Sequence, residues 1–233
     1  MAGRDLSLKP RKVATRDNKL EVEVFNIDEI EDHFNENVAF IISQFDIADD
    51  LLKSNEKERA ADIWRSQLVF LDSAFDFFMH EIVKLGILNI FHEEWPKKSE
   101  QYTNLQFTMK NVEHAIKNPG DDSWLKDWVT EKYSSETLMS YDTFKGVCNL
   151  LSIDYRAIAD SAFYERGSTE KTLDKLQRRI NQLFYRRNRI AHQMDRNREN
   201  AERQNIQKED VINFIDDIKK IVHATSVKIR QIC

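Results

Sequence analysis

Apolar residues recur at three- and four-residue steps along most of this chain. After Ile27 they are Ile30, Phe34, Val38, Ile41, Phe45, Ala48 and Leu52. An α-helix turns once in about 3.6 residues, so this spacing lays them along one face. Ser54-Asn55-Glu56-Lys57 reads as a turn, and a second helical stripe follows: Ala60, Trp64, Leu68, Leu71, Phe75, Phe78, Ile82 and Leu85. From Leu68 to Met79 the other faces are mostly apolar as well, through Val69, Phe70, Phe77 and Met79. That predicts a central helix packed on more than one side. Gly86 falls where this helix is expected to stop.

Residues 92–140 keep no steady period, and Trp95-Pro96, Pro119-Gly120-Asp121-Asp122 and Ser134-Ser135 mark turns. Trp124 and Trp128 are four apart and predict a short helix anchored to the core. Ser140–Leu151 predicts another. A long helix is expected over Thr169–Arg189, with Leu173, Leu176, Ile180 and Leu183 inward and Arg187 at the next position of that register. Asn197–Gln207 is polar and reads as a loop. Asp210–Ile229 is a final helix with Val211, Phe214, Ile218, Ile221 and Val222 inward. No internal repeat or low-complexity region appears. The fold class is therefore all-α: a helical bundle with an irregular helical middle insertion. Residues 21–233 read as one domain and residues 1–20 as a flexible tail.

Composition agrees with helices. Gly and Pro number only five and three in 233 residues, and no alternating strand pattern stands beside a tight-turn signal. Cys148 and Cys233 are too far apart in sequence to suggest a zinc site or a disulfide framework. The N-terminal segment lacks the apolar core of a signal peptide, and no run is long enough to span a bilayer. The expectation is a cytoplasmic protein with reduced thiols and no membrane association.

Net charge is −5, but the window Arg178–Arg203 holds eight Arg against Asp195, Glu199 and Glu202, which makes it +5 and the remainder −10. Such a patch can attract a phosphate backbone without making the whole surface basic. The plainer reading is a solvated arginine-rich helix end. Within the window stands Arg186-Arg187-Asn188-Arg189-Ile190-Ala191-His192. An arginine supplies fixed charge and planar donors, and a histidine titrates near neutral pH. Together they can hold a phosphodiester and move its protons, which points to phosphate chemistry on RNA. Arg187 occupies an apolar register position, so it either meets a partner in a polar pocket or interface, or extends its head group to water. His192 lies roughly 140° around an ideal helix from Arg187. Asn188 shares the face of His192 and can orient its imidazole.

The central helix offers acids. Asp72, Asp76 and His80 form one line at four-residue spacing, and the two aspartates interrupt an apolar run. A buried carboxylate needs a cation or donors, and Arg187 is a candidate for one of them. The alternative is that the line faces solvent, with Asp72 the better candidate for exposure. His33, His92, His114 and His223 show no metal-ligand spacing, and phosphate-loop, dinucleotide and serine-hydrolase signatures are missing. No metal and no cofactor are expected.

Arg187-Asn188-x-x-x-His192 resembles the motif of the HEPN superfamily, an Arg followed by His after four to six residues. The longer phrase Leu183–His192 is similar to its Arg-Asn-x-Ile-Ala-His version. Ser73-Ala74-Phe75-Asp76-Phe77-Phe78 resembles the small-Ala-Leu-Glu-aromatic-aromatic pattern of RiboL-PSP-type HEPN proteins, with Asp76 in place of glutamate. The likeness covers about residues 35–230. It implies a dimerising helical domain that brings two Arg/His motifs into one cleft, and a metal-independent endoribonuclease of the kind used as a toxin or antiviral defence effector. In that role Arg187, His192, Asn188 and Asp76 are the catalytic set, and Arg186, Arg189 and Arg196 contact RNA. The expected partners are the RNA substrate, a second copy of the chain, and an antitoxin or activating protein. The other reading of the same likeness is a non-catalytic RNA- or nucleotide-binding or regulatory module. Two departures stand out. Gln193 replaces the glycine that often follows the histidine, and Met194 replaces a tyrosine modified in some toxin relatives.

Overall fold

The computed structural model describes residues 22–197 and 199–232. The expected tail, residues 1–20, lies outside them. Among the described residues there are nine α-helices and no strand, only an isolated antiparallel bridge between Arg196 and Arg203. None of these helices is long and apolar enough to cross a membrane.

Helix α1 (Ile27–Lys53) starts at a reciprocal cap, in which Asn26 accepts from the Asp28 and Glu29 backbone N–H groups and the Glu29 carboxylate accepts from Asn26 N–H. Such a cap satisfies donors that the first turn leaves free. Its stripe Ile30, Phe34, Val38, Ile41, Phe45 and Ala48 is buried, whereas Leu52 at the helix end is partly exposed. Helix α2 (Lys57–Phe91) runs alongside it. Phe34 meets Phe78 edge to face, and Gln67 donates to the Ile41 carbonyl at 2.7 Å across the buried seam.

At 35 residues α2 spans about 52 Å and outruns the stop expected at Gly86. Gly86 instead lies inside the helix, because a Cβ there would stand 2.6 Å from Leu151 Cδ2 and 3.0 Å from Trp95 Cζ3. The missing side chain lets the middle segment close onto α2.

The insertion contains the short helices α3 (Glu100–Thr103), α4 (Met109–Lys117) and α5 (Ser123–Tyr133). Leu125 and Val129 anchor α5 while Trp124 and Trp128 pack beside Phe107. Helix α6 (Tyr141–Leu150) follows, capped by Ser140. Helix α7 (Tyr155–Phe163) was not anticipated from the sequence. It buries Ile158, Ala159 and Phe163 against the two C-terminal helices, α8 (Thr172–Gln193) and α9 (Lys208–Arg230). Leu176, Ile180 and Leu183 of α8 enter the core that α2 and α9 share. The crossing of α8 over α2 positions the site.

Candidate nucleic-acid site at the end of α8

Helix α8 continues through His192 to Gln193, four residues beyond the expected end at Arg189. It then reverses through Met194 and Asp195, both left-handed at φ 51° and 60°. Asp195 N–H donates to the Arg189 carbonyl and Met194 N–H to that of Ile190, which satisfies carbonyls at the helix terminus. Two non-glycine residues in this region cost about 1 kcal/mol each or more, so the surroundings must hold them there.

A buried ionic clamp does so. Asp195 is 0% exposed, and its Oδ2 accepts from Arg186 Nη2 at 2.7 Å and Arg65 Nε at 3.0 Å. Arg65 also donates to the Gln204 carbonyl and to Asp62, and Asp62 accepts from Arg203. The returning loop is thereby tied to α2. Arg186 donates further to the Gln204 side chain and to the Asn205 carbonyl. Its guanidinium is turned to these partners, so Arg186, expected as an RNA contact, is held within the clamp. Arg65 and Asp195 were missed in the sequence. The available signal was an acid set immediately after the motif in an arginine-rich window.

Arg187 is three-quarters buried, and its Nε stands 3.1 Å from Oδ2 of Asp72. The approach is an ion pair without hydrogen-bond alignment, since Arg187 Nε and both Asp72 oxygens have no hydrogen-bond partner. Asp72 is 1% exposed. Burial pushes its carboxyl up to about 7, against the opposing Arg187 charge and with a smaller push from Asp76.

Of the two acids left open as partners of Arg187, Asp72 is the one that meets it, and Asp72 does not face solvent. Asp76, expected in the catalytic set, lies one turn further along α2 and meets the insertion and His80. Leu138 N–H donates to its Oδ1 at 2.8 Å, and its Oδ2 lies 3.5 Å from His80 Nε2. The Asp76 carboxylate holds the His80 imidazole above the usual histidine value.

Arg187 Nη1 donates to Asn188 Oδ1 at 3.0 Å, so Asn188 turns its oxygen to the arginine and not to His192. Asn188 and His192 nevertheless line one open groove of 720 Å³, with Arg189, Arg196, Tyr185 and Gln204. His192 is exposed. Arg196 donates to the Ala201 carbonyl at 2.6 Å within the loop that forms the far wall. Arg187 is absent from the groove lining. In one chain the structure thus brings together His192, Asn188, Arg189 and Arg196, and leaves Arg187 linked to them through Asn188. The groove can accept an anionic strand beside the exposed imidazole of His192. Among the described residues no three His, Cys, Asp or Glu side chains come together in a way that could hold a metal ion.

The sequence model of one family, RiboL-PSP-HEPN, matches residues 24–231, which covers α1 through α9 and both halves of the site. Comparison with curated proteins and with solved structures found no match.

Proposed function

Because the chain belongs to the RiboL-PSP-HEPN family, we propose that it is an endoribonuclease that cuts RNA by attack of a ribose 2′-OH on the adjacent phosphate. The observation that carries this reading is His192. It stands exposed at the end of a firmly clamped helix, in a groove with Asn188, Arg189 and Arg196. Family membership supports RNA as the substrate class, because HEPN-type domains are commonly ribonucleases or RNA-binding modules.

The substrate carries its own nucleophile, so the reaction does not require a metal-bound water. His192 takes the 2′-OH proton, or delivers one to the departing oxygen, a role typically worth about 10²- to 10⁴-fold. The 2′-O–P bond forms, the P–O5′ bond breaks, and the O5′ leaves with a proton. Products are a 2′,3′-cyclic phosphate and a 5′-OH. Arg187 stabilises charge on the phosphorane-like transition state, Asn188 positions its guanidinium, and Arg189 and Arg196 hold flanking phosphates.

Arg187 and His192 point roughly 140° apart on α8. A homodimer that sets the Arg187 of one protomer beside the His192 of its partner completes the site. A toxin or defence role, held in check or triggered by an antitoxin or activating protein, fits this chemistry.

The same separation favours a second reading, a module that binds RNA or nucleotide without cutting it. The deciding experiment is incubation with total RNA in EDTA, wild type against His192→Ala, with the ends of the fragments identified. The expected result is 2′,3′-cyclic phosphate ends from wild type, and no cleavage by a His192→Ala protein with unchanged melting. Fragments with 3′-OH ends, or cleavage that needs magnesium, reject the mechanism. RNA binding without cleavage transfers the assignment to the second reading.

A further inference from the structure

A second groove opens on the other side of the ridge made by Tyr185 and Arg189. It encloses 520 Å³ between α8 and α9, with Arg179, Gln182, Arg186 and Asn213 among its lining side chains. Tyr185, Arg189 and Gln204 line both this groove and the His192 groove, so the two are neighbours along α8. The volume lies in the range of small-molecule sites, about 300–1,000 Å³.

What it can hold follows from which of its groups are already committed. Arg186 is held by Asp195, Gln204 and Asn205. Arg179 Nε lies 2.9 Å from Asp217 Oδ2. The lining acid, Asp210, accepts from Gln207 N–H at 2.8 Å. These charges are balanced locally, which makes the groove a poor trap for a bare phosphate.

The groups left free are of another kind. Gln182 and Asn213 are exposed amides with no hydrogen-bond partner among the described residues. Tyr185 is an exposed aromatic residue, 61% accessible. Arg189 has no carboxylate partner there. Arg186 donates to Gln204 Oε1, which leaves the Gln204 amide nitrogen as a donor. A side-chain amide presents a donor beside an acceptor, the pattern found on a nucleobase edge. Tyrosine rings and guanidinium planes stack on base faces.

We propose that this groove is a nucleobase-binding subsite for one unpaired base of the RNA strand whose phosphodiester lies in the His192 groove. Tyr185 takes the face of the base, Gln182 and Asn213 take its edge, and Arg189, at the boundary of the two grooves, holds the phosphate beside it. The inference rests on the RNA reading above and adds base selectivity to it.

The test is made on the His192→Ala protein, so that RNA stays intact. Binding of fluorescent short homopolymers of A, C, G and U is measured by anisotropy, which needs no catalysis. The starting protein is expected to prefer its best base over its worst by about tenfold, with Tyr185→Ala weakening all four by about tenfold, as expected for loss of one stacked base. Gln182→Ala with Asn213→Ala is expected to shrink the preference to under about twofold, since edge contacts carry the discrimination. Gln182→Glu with Asn213→Asp, which keep size and lose the donors, repeat the test, and thermal melting confirms that each protein is folded. RNA binding with no base preference, or with a preference that all these variants retain, overturns the subsite and leaves the RNA reading standing. A folded protein that binds none of the RNAs overturns both.

Discussion

Asp72→Asn tests the electrostatics of the site most directly. The carboxyl is buried, neither oxygen accepts a hydrogen bond, and Arg187 Nε stands 3.1 Å away. Its pKa rises from 3.8 to about 7, mainly through burial. Between those two values the folded protein keeps a proton that the unfolded chain has released. The stability contributed by this group is therefore full below pH 3.8 and lost as pH rises through about 7. One pH unit within that window is worth about 1.4 kcal/mol, so wild type gives up about 3 kcal/mol through Asp72 between about pH 5 and pH 8. Asparagine keeps the shape and removes the titration. The expected result is a variant close to wild type at the acid end that gains on it by about 3 kcal/mol towards the alkaline end. Urea unfolding of both proteins at each pH unit measures this, and other titrating groups cancel in the difference. A variant destabilised by a constant amount at every pH would refute the reasoning. It would mean that the Arg187 charge overcomes burial and that Asp72 stays ionised throughout.

Asp195→Ala is expected to lower stability by about 3–5 kcal/mol in chemical denaturation, because it strands Arg65 and Arg186 together in a buried place; a loss under about 1 kcal/mol contradicts the clamp. Gly86→Ala is expected to cost about 1 kcal/mol net, since overpacking against Leu151 and Trp95 outweighs the helix-propensity gain. A rise in melting temperature would show that Leu151 yields freely. Arg187→Ala and His192→Ala proteins, each inactive alone, are expected to recover cleavage when unfolded and refolded together, since in the proposed homodimer a mixed pair of protomers would hold one intact Arg/His pair across the interface. Persistent inactivity of a verified mixed dimer argues against the shared site.

The long helices were legible because the apolar residues they bury repeat at the helical period. The Arg/His motif was legible because its spacing is local. What stayed hidden depends on chain segments meeting from far apart. Gly86 looked like a stop signal, but its lack of a side chain serves Leu151. Helix α7 offers only nine residues, too few for a period to stand out, and is fixed by α8 and α9. Asp72 and Asp76 are indistinguishable on one helix, and the level at which α8 crosses α2 decides which of them meets Arg187. Arg186 and Arg187 are adjacent and alike in sequence, yet helical rotation sends one to Asp195 and the other to Asp72.

That divergence has a mechanical consequence. Arg186 is tied by hydrogen bonds to Asp195, Gln204 and Asn205, and these fix the end of α8 and the left-handed turn after His192. Arg187 is held by an unaligned ion pair to a carboxyl that prefers its proton below about pH 7, and by one bond to Asn188. Protonation of Asp72 removes the counter-charge and leaves Asn188 as its partner. The histidine therefore rides on a rigid support while the neighbouring arginine is loosely held. A strand entering the groove offers phosphate oxygens that can compete for Arg187 against a half-satisfied acid, but no such competition is open to Arg186. If the site acts on a phosphodiester, its mobile charge is Arg187, and the clamp on Arg186 keeps His192 in place while that charge moves.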